Sequence, residues 1–313
     1  MKLGIFTPVF SGINFEEMLK IVKELNIKYL EMAAGGYPGN IHCDPEKLLS
    51  SERSLEKWEG LLDHYKIEIG AISAHGNPLH PNKRKSSHFR KHWRNAVLLA
   101  EKLGVRTVVG FSGCPGDSLK SKFPNWVTCS WPEDYQEILK WQWENEVIPY
   151  WKEEVGFAKK HGIKRIAIEM HPGFVVYNPE TLFKLRHEVG DIIGVNFDPS
   201  HLFWQQVDIL RALRSFVDCD CLYHFHAKDI SFNQEKCSLN GVLETKPARD
   251  IKNRSWNFKT VGYGHKKSFW KKIIKELQIA KYQGMVSIEH EDRSFSALDG
   301  LKRAVDVLKE ACE

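Results

Sequence analysis

Four ionisable side chains lie at the carboxyl ends of short apolar segments. Glu169 ends RIAIE, Asp198 follows IGVNF, His226 is near the end of CLYHFHA, and Glu289 ends MVSIE. Short apolar runs bounded by turn residues are typical of strands that are buried on both faces. In α/β proteins, the carboxyl ends of such strands are where ligands bind. We therefore expect these four side chains to meet around one ligand.

The chemistry of this set indicates a divalent cation. Three carboxylates and one imidazole suit a hard or borderline ion, so the predicted ion is Mn²⁺, ahead of Mg²⁺, Co²⁺ or Zn²⁺. Four protein ligands leave two positions of an octahedron, which adjacent oxygens of a sugar could fill. Each residue alone is equally well explained as a polar strand end, but four such ends in one chain favour the metal site.

A cation in this position would assist removal of a proton from the carbon next to a sugar carbonyl, because it would stabilise the enediolate that forms. The proton requires a base within hydrogen-bonding reach, with a pKa tuned towards neutrality. The candidate catalytic residues are Glu169, His171 and Glu289. Residues two apart on a strand share a face, so Glu169 and His171 are both expected at the mouth of the site.

Three basic residues at or just past strand ends are candidates for substrate binding. They are His75 in the segment AHG, His201 three residues after Asp198, and Lys228 in the segment HAKD. Side chains in these positions could orient substrate hydroxyl groups. For Lys228, a salt bridge with the adjacent Asp229 is an equally good interpretation.

Strand and helix patterns alternate along the whole chain. The predicted strands are Leu3–Thr7, Tyr29–Met32, Glu68–Ser73, Arg106–Phe111, Arg165–Glu169, Ile193–Phe197, Cys221–Ala227 and Met285–Glu289. The predicted helices are Phe15–Leu25 with Asn14 as N-cap, Pro45–Tyr65, Ser87–Leu103, Tyr135–His161, Pro179–Glu188, Val207–Phe216, Ser268–Ile279 and Ala297–Ala311. The segment Asp229–His265 is predicted to be a long connection.

Eight strand–helix units in 313 residues predict an α/β fold. Their number and the chain length favour a (β/α)8 TIM barrel that forms a single catalytic domain over residues 1–313. A doubly wound sheet shares the alternation, but no GxGxxG or GxxxxGK(S/T) motif follows a strand. In a barrel all strand ends open on the same face, so residues distant in sequence meet there.

The segments IEMHPG, NFDPSH, FHAKD and SIEHED resemble the xylose isomerase-like TIM-barrel superfamily, which includes ketose 3-epimerases and related sugar isomerases. The resemblance covers nearly the whole chain. It implies that Glu169, Asp198, His226 and Glu289 bind the metal and that His201 binds the substrate. In the 3-epimerases the two glutamates also act as a paired acid and base on opposite faces of the substrate.

Two departures separate the chain from the 3-epimerases. Their arginine shortly after the metal-binding histidine is replaced by Asn233-Gln234-Glu235, and their Glu-Pro-Leu-Asn stretch by Glu-Met-His-Pro-Gly-Phe. The stretches GFSGCPGD, EMHPGFVVYNPET and NFDPSHLFW are more similar to the α subunits of bacterial C-glycoside deglycosidases. That branch implies β-elimination of the aglycone from a 3-oxo-glycoside, with His171 as the base and a small β subunit as a partner.

The alternative outcome is isomerisation or epimerisation of a free or phosphorylated ketose, which shares the metal and the first proton transfer. If the substrate is a glycoside, four tryptophans in and after the loop that follows strand 4 could offer aromatic faces to its aglycone. Two of them lie in a predicted helix, where packing against neighbouring side chains is the better explanation. The four tryptophans are Trp126, Trp131, Trp141 and Trp143.

A nucleic-acid substrate is not expected. The superfamily also contains an endonuclease with a three-zinc cluster, and six of its ligand positions match this chain. Its histidine after strand 4 is replaced by Phe111-Ser112-Gly113, and its later Asp-x-His is missing, so the cluster would be incomplete. The basic segment Lys83–Arg94 could bind phosphate, but a solvated helix face is the more common explanation.

The composition places the protein in the cytoplasm. Apolar residues make up 42% of the chain, the net charge is +5, and no apolar run approaches the roughly 18 residues of a membrane span. Seven cysteines without a CxxC pair are typical of reduced thiols. We therefore expect an oligomeric cytoplasmic enzyme for a small sugar or glycoside, with no nucleic acid or membrane as partner.

Overall fold

Eight parallel strands close into a barrel in the computed structural model, which describes residues 1–313. They are β1 Lys2–Phe6, β2 Tyr29–Gly36, β3 Glu68–His75, β4 Thr107–Phe111, β5 Arg165–Glu169, β6 Ile193–Phe197, β7 Leu222–Ala227 and β10 Met285–Ile288. Two further strands, β8 Asp229–Phe232 and β9 Trp256–Lys259, form a separate antiparallel hairpin between β7 and β10. The barrel closes where β10 pairs with both β1 and β7. The predicted (β/α)8 barrel is confirmed.

Helices surround the barrel and connect its strands. They are α1 Phe15–Glu24, α2 Pro45–Leu49, α3 Glu52–Tyr65, α4 Lys83–Lys102, α5 Asp134–Trp141, α6 Ile148–Lys160, α7 Pro179–Val189, α8 Ser200–Phe203, α9 Ile209–Asp218, α10 Gln234–Asn240, α11 Lys267–Ile279 and α12 Ala297–Cys312. Asn14 caps α1 as predicted, in a reciprocal capping box with Glu17. None of these helices has the length and apolarity that a membrane crossing requires.

Two predicted helices are interrupted. The span Pro45–Tyr65 is divided into α2 and α3, because Ser51 has extended backbone angles and its hydroxyl accepts a hydrogen bond from the Ser54 N–H. The span Tyr135–His161 is divided by a π-helical turn, Gln142–Val147. In that turn the buried Gln142 donates to backbone carbonyls of the loop after β4 instead of facing solvent.

The alternation of side chains along the strands determines which residues face the barrel interior. Ile72 of β3, Val108 of β4 and Ile168 of β5 belong to the large core between the strands and the helices. Their neighbours Ala71, Val109 and Ala167 form a separate small cluster inside the barrel. Continuing the alternation two residues beyond Ala167 places Glu169 in the next inner layer, at the carboxyl end of β5.

Candidate metal centre

The four predicted metal ligands converge at the carboxyl ends of the barrel strands. Their ligand atoms lie within 4.8 Å of one another. Glu169 ends β5, His226 lies on β7, and Asp198 and Glu289 directly follow β6 and β10. Glu169, Asp198 and His226 are fully buried, and the Glu289 side chain is 16% exposed. The barrel thus brings together residues from four parts of the chain, as the sequence predicted.

Unpartnered polar atoms support a cation in this cluster. His226 Nδ1 lies 2.9 Å from Glu289 Oε2 and 3.3 Å from Glu169 Oε2, yet neither contact has the alignment of a hydrogen bond. Asp198 Oδ2 and His201 Nε2 are also buried without an aligned partner. Leaving so many buried polar groups unpaired is unfavourable, so this donor set fits a divalent ion.

The carboxylates around His226 stabilise a positive charge on its imidazole ring. Burial alone would lower the pKa of His226, but Glu31 and Glu289 raise it well above its usual range. Burial alone would also raise the pKa of Glu289, but Lys228 and His226 lower it to about 2. A divalent ion can replace a proton in such surroundings, because metal binding and protonation compete for the same lone pair.

Sequence reasoning missed Glu31, which lies inside the barrel on β2. Its Oε2 is 2.8 Å from both His224 Nε2 and His226 Nε2, and its Oε1 accepts a hydrogen bond from the Ser73 hydroxyl. Burial alone would raise the pKa of Glu31, but the two histidines hold it well below its usual range. His226 Nε2 therefore donates to an ionised carboxylate, and Nδ1 remains for a metal.

His171 is positioned to act as a base. Its Nδ1 lies 2.6 Å from the Pro172 carbonyl oxygen, to which it donates, so Nε2 carries a free lone pair. Burial and the neighbouring His201 lower the pKa of His171 to about 3. The imidazole is therefore neutral, but in this arrangement it is a weaker base than the near-neutral one expected from the sequence. The His171 and His201 rings lie 4.0 Å apart, and His171 lines the cavity next to the candidate metal ligands.

The two predicted substrate-binding histidines contact the candidate metal ligands. His201 Nε2 is 3.2 Å from Asp198 Oδ2 and 3.3 Å from Glu169 Oε1. His75 Nε2 is 3.1 Å from Glu169 Oε2, and His75 is also part of the cavity wall. Both rings are buried, and the His75 ring lies 4.7 Å from the ring of Phe111, another residue of the cavity wall.

Lys228 contacts the same cluster. Its Nζ is 2.7 Å from Glu289 Oε2 and 3.0 Å from Asp198 Oδ2. Burial alone would lower the pKa of Lys228, but Asp198 and Glu289 hold it well above its usual value. The ammonium group therefore stays charged although the side chain is only 2% exposed.

The alternative salt bridge between Lys228 and Asp229 is not formed. Asp229 Oδ2 accepts hydrogen bonds from the backbone N–H groups of Gly262 and His265 and from Trp270 Nε1, at 2.9–3.0 Å. Successive side chains of an extended chain point in opposite directions, so Asp229 faces the hairpin and α11 while Lys228 faces the barrel axis. This aspartate joins β8 to the segment before α11.

A cavity of about 730 Å³ lies above the cluster. One wall is apolar and includes Tyr37, Phe111 and Phe174, with the rings of the two phenylalanines stacked at 4.3 Å. The polar residues that line the cavity include Lys228 and Arg293. None of the four tryptophans proposed for an aglycone lines this cavity, since Trp126 packs on Tyr177 and Trp143 is buried in the core.

The basic segment Lys83–Arg94 forms the first half of α4, and some of its cations are already paired. Lys91 lies 2.7 Å from Glu46, and Arg94 pairs with Glu153 and Glu154. His92 Nδ1 accepts a hydrogen bond from the Gly36 N–H. These contacts hold α4 against its neighbours, so this part of the basic segment has a structural role.

Similarity to known proteins agrees with the fold. A family profile described as a xylose isomerase-like TIM barrel matches residues 19–311. The uncharacterized protein YfiH of Bacillus subtilis (strain 168) is 38% identical over 312 residues, which cover 99% of either chain.

Solved structures that superpose on nearly the whole chain include two enzymes. The probable 3-DHS dehydratase AsbF, involved in petrobactin synthesis in Bacillus anthracis, has a TM-score of 0.67 at 17% identity over 99% of both chains. The 3-keto-D-glucoside 4-epimerase YcjR of E. coli has a TM-score of 0.63 at 14% identity over 99% of this chain and 98% of its own. Together with the matching profile and the barrel, these relationships lead to one conclusion: the protein belongs to the xylose isomerase-like TIM-barrel family.

Proposed function

We propose that the protein is a divalent-metal-dependent enzyme that removes a proton from the carbon next to a sugar carbonyl. The observation that carries this proposal is the convergence of Glu169, Asp198, His226 and Glu289 beneath a cavity lined by His171. A cation site and an unprotonated imidazole in one cavity are the two components that such a proton transfer requires.

The four converging residues would hold the ion. Mn²⁺ suits three carboxylates and one imidazole best, and Mg²⁺, Co²⁺ or Zn²⁺ are the alternatives. A divalent ion there supplies Lewis-acid stabilisation of negative charge on a carbonyl oxygen. His75, His201 and Lys228 lie beside the ligands and would orient substrate oxygens.

His171 is the proposed base. Its Nδ1–H bond to the Pro172 carbonyl holds the ring and leaves Nε2 to accept the proton. Glu169 and Glu289 are the other candidates, because both line the same cavity as His171.

Our first choice of reaction is β-elimination that cleaves a 3-oxo-C-glycoside. Two observations support it: the apolar wall of Tyr37, Phe111 and Phe174 offers a surface for an aglycone, and YcjR is by name an enzyme of a keto-glucoside. The alternative is isomerisation or epimerisation of a ketose or sugar phosphate. The paired glutamates Glu169 and Glu289 favour that alternative, since epimerisation requires an acid and a base.

The proposal includes a small β subunit or further copies of the chain as partners. Apolar side chains are exposed on the loop after β4, at Leu119, Phe123 and Trp131. Exposed apolar groups of this size are common in interaction surfaces. All seven cysteines are free thiols, in keeping with the proposed cytoplasmic location.

The test is incubation with Mn²⁺ and two substrates, a 3-oxo-C-glucoside and fructose, in deuterated buffer. Release of the aglycone, with or without a co-encoded small protein, would support the elimination. Deuterium in recovered fructose or its epimer would support the alternative. Unchanged turnover after exhaustive chelation would contradict the metal-dependent proposal as a whole.

A further inference from the structure

The ammonium group of Lys228 and the candidate metal share two carboxylates. Lys228 Nζ is 3.0 Å from Asp198 Oδ2 and 2.7 Å from Glu289 Oε2, and both residues belong to the four-residue ligand set. Glu291 lies farther away, at 3.5 Å, and its side chain is 49% exposed. The Lys228 ammonium group therefore contacts two of the four residues that would bind the ion.

The position of this cation is enforced by its surroundings. Asp229, the next residue, is bound on the opposite side by the segment before α11, so the backbone at Lys228 cannot turn away from the barrel axis. The Phe258 ring lies 4.7 Å from Nζ and covers it from the hairpin side. A buried ammonium requires carboxylate partners, and only the ligand cluster and Glu291 supply them here.

The charges in the cluster suggest what this lysine does. Glu169, Asp198 and Glu289 carry three negative charges, and a divalent ion neutralises two of them. Lys228 neutralises the third. A neutral centre accepts the negative charge that appears on a substrate oxygen more readily than a negative centre does.

We infer that Lys228 is an internal counter-cation that lowers the affinity of the centre for its divalent ion. This inference rests on the proposed metal site and adds a role that is separate from orienting substrate. Like charges repel strongly at short range in a buried site, and Lys228 also competes with the ion for Asp198 and Glu289. Both effects act in the same direction, so removing the ammonium group should tighten binding of the ion.

The opposite role is also testable. If Lys228 mainly holds Asp198 and Glu289 in the geometry that binds the ion, its removal would allow them to move and would weaken binding. The sign of the change in affinity therefore distinguishes a competing cation from a supporting hydrogen-bond donor.

The experiment measures Mn²⁺ binding to chelator-stripped protein by isothermal titration calorimetry, without substrate. We expect Lys228→Met to bind Mn²⁺ about tenfold more tightly than the wild type. Lys228→Arg, which keeps the charge, should stay within a few-fold of the wild type. The matched control is Lys259→Met, since Lys259 pairs at 3.5 Å with Asp292, outside the ligand set, and should leave the Kd unchanged.

Equal or weaker binding by Lys228→Met would overturn the inference. Thermal melting in chelator shows whether that variant is folded, and if it is not, Lys228→Gln provides the same test because its amide can still donate to the carboxylates. Failure of the wild type to bind Mn²⁺, Co²⁺ or Zn²⁺ would overturn the proposed function together with the inference. Wild-type binding combined with weaker binding by the variant would overturn only the inference.

Discussion

Replacing Glu31 by glutamine tests whether the negative charge of a carboxylate inside the barrel strengthens His226 as a metal ligand. Glu31 accepts hydrogen bonds from His224 Nε2 and His226 Nε2, each at 2.8 Å, and from the Ser73 hydroxyl. A glutamine side chain has one oxygen acceptor, and its NH₂ group can only donate. The amide oxygen can take the place of Oε2 and accept from both histidines, while the NH₂ group faces the Ser73 hydroxyl, so the variant keeps the hydrogen bonds and removes the negative charge.

The size of the effect follows from these contacts. A hydrogen bond to a charged group contributes about 1.5–3 kcal/mol. A neutral amide retains only part of this contribution, so His226 is held and polarised less strongly, and its Nδ1, which faces Glu169 and Glu289, becomes a weaker ligand for the ion. At about 1.4 kcal/mol for each factor of ten, this loss corresponds to roughly 10–100-fold weaker ion binding.

The assay is the Kd of Mn²⁺ by calorimetry, together with urea unfolding of the chelated protein. Ser73→Ala is the matched control, because it removes the donor to Glu31 Oε1 and leaves both contacts of Oε2. We expect the control to bind Mn²⁺ within about threefold of the wild type. If Glu31→Gln lowers stability but keeps wild-type affinity, Glu31 is only a packing element and the reasoning is refuted.

Three further predictions concern catalysis and acid stability. Glu289→Gln should abolish metal-dependent turnover while the circular dichroism spectrum stays native, and an active variant would remove Glu289 from the mechanism. His171→Gln should lower kcat about 10²–10⁴-fold. The same variant should leave the Kd of Mn²⁺ nearly unchanged, and a parallel loss of ion binding would contradict the assignment as base. Burial would raise the pKa of Asp292, but hydrogen bonds from Thr260 and Ser294 lower it. The ionised carboxylate therefore stabilises the fold above its unfolded pKa, and this contribution is lost as the pH falls through the pKa of the folded state. Urea midpoints should therefore decline more steeply below about pH 4 in the wild type than in Asp292→Asn, and equal slopes would show that this carboxylate does not contribute.

The barrel and the four converging side chains were predictable from local patterns. The barrel strands contain short apolar runs, and each predicted ligand lies near the end of one or directly follows it, so no knowledge of distant contacts was needed. Parallel strands in a closed barrel then place these ends on one face. The same reasoning placed His171 beside Glu169, and His171 lines the cavity.

Glu31 was not predictable in this way. It lies within the apolar run of β2, and its partners His224 and His226 are on β7, which is not a neighbour of β2 in the barrel. The contact crosses the barrel interior between residues 195 positions apart in the chain. A charged residue inside a predicted buried strand was the available signal, because such a residue requires a partner.

The hairpin and the π-helical turn depend on tertiary contacts. The strands β8 and β9 have four residues each, too few for a clear alternation, and they are separated by a long connection. Their packing on Trp204 through Ile230 and Trp256 stabilises them. Gln142 is buried because carbonyl groups of the loop after β4 accept its hydrogen bonds, and the helical pattern of the sequence does not reveal such contacts.

The hydrogen bonds that Asp229 accepts determine which part of the β8–β9 hairpin can vary among relatives of this protein. They fasten the base of the β8–β9 hairpin, where the chain leaves the barrel and returns to it. The far end of the hairpin, around α10, carries exposed side chains such as Leu239 and Leu243 and makes none of these bonds. Insertions or deletions at that far end can therefore change the outer surface of the hairpin without disturbing Lys228, the residue before Asp229, whose amine reaches the ligand cluster.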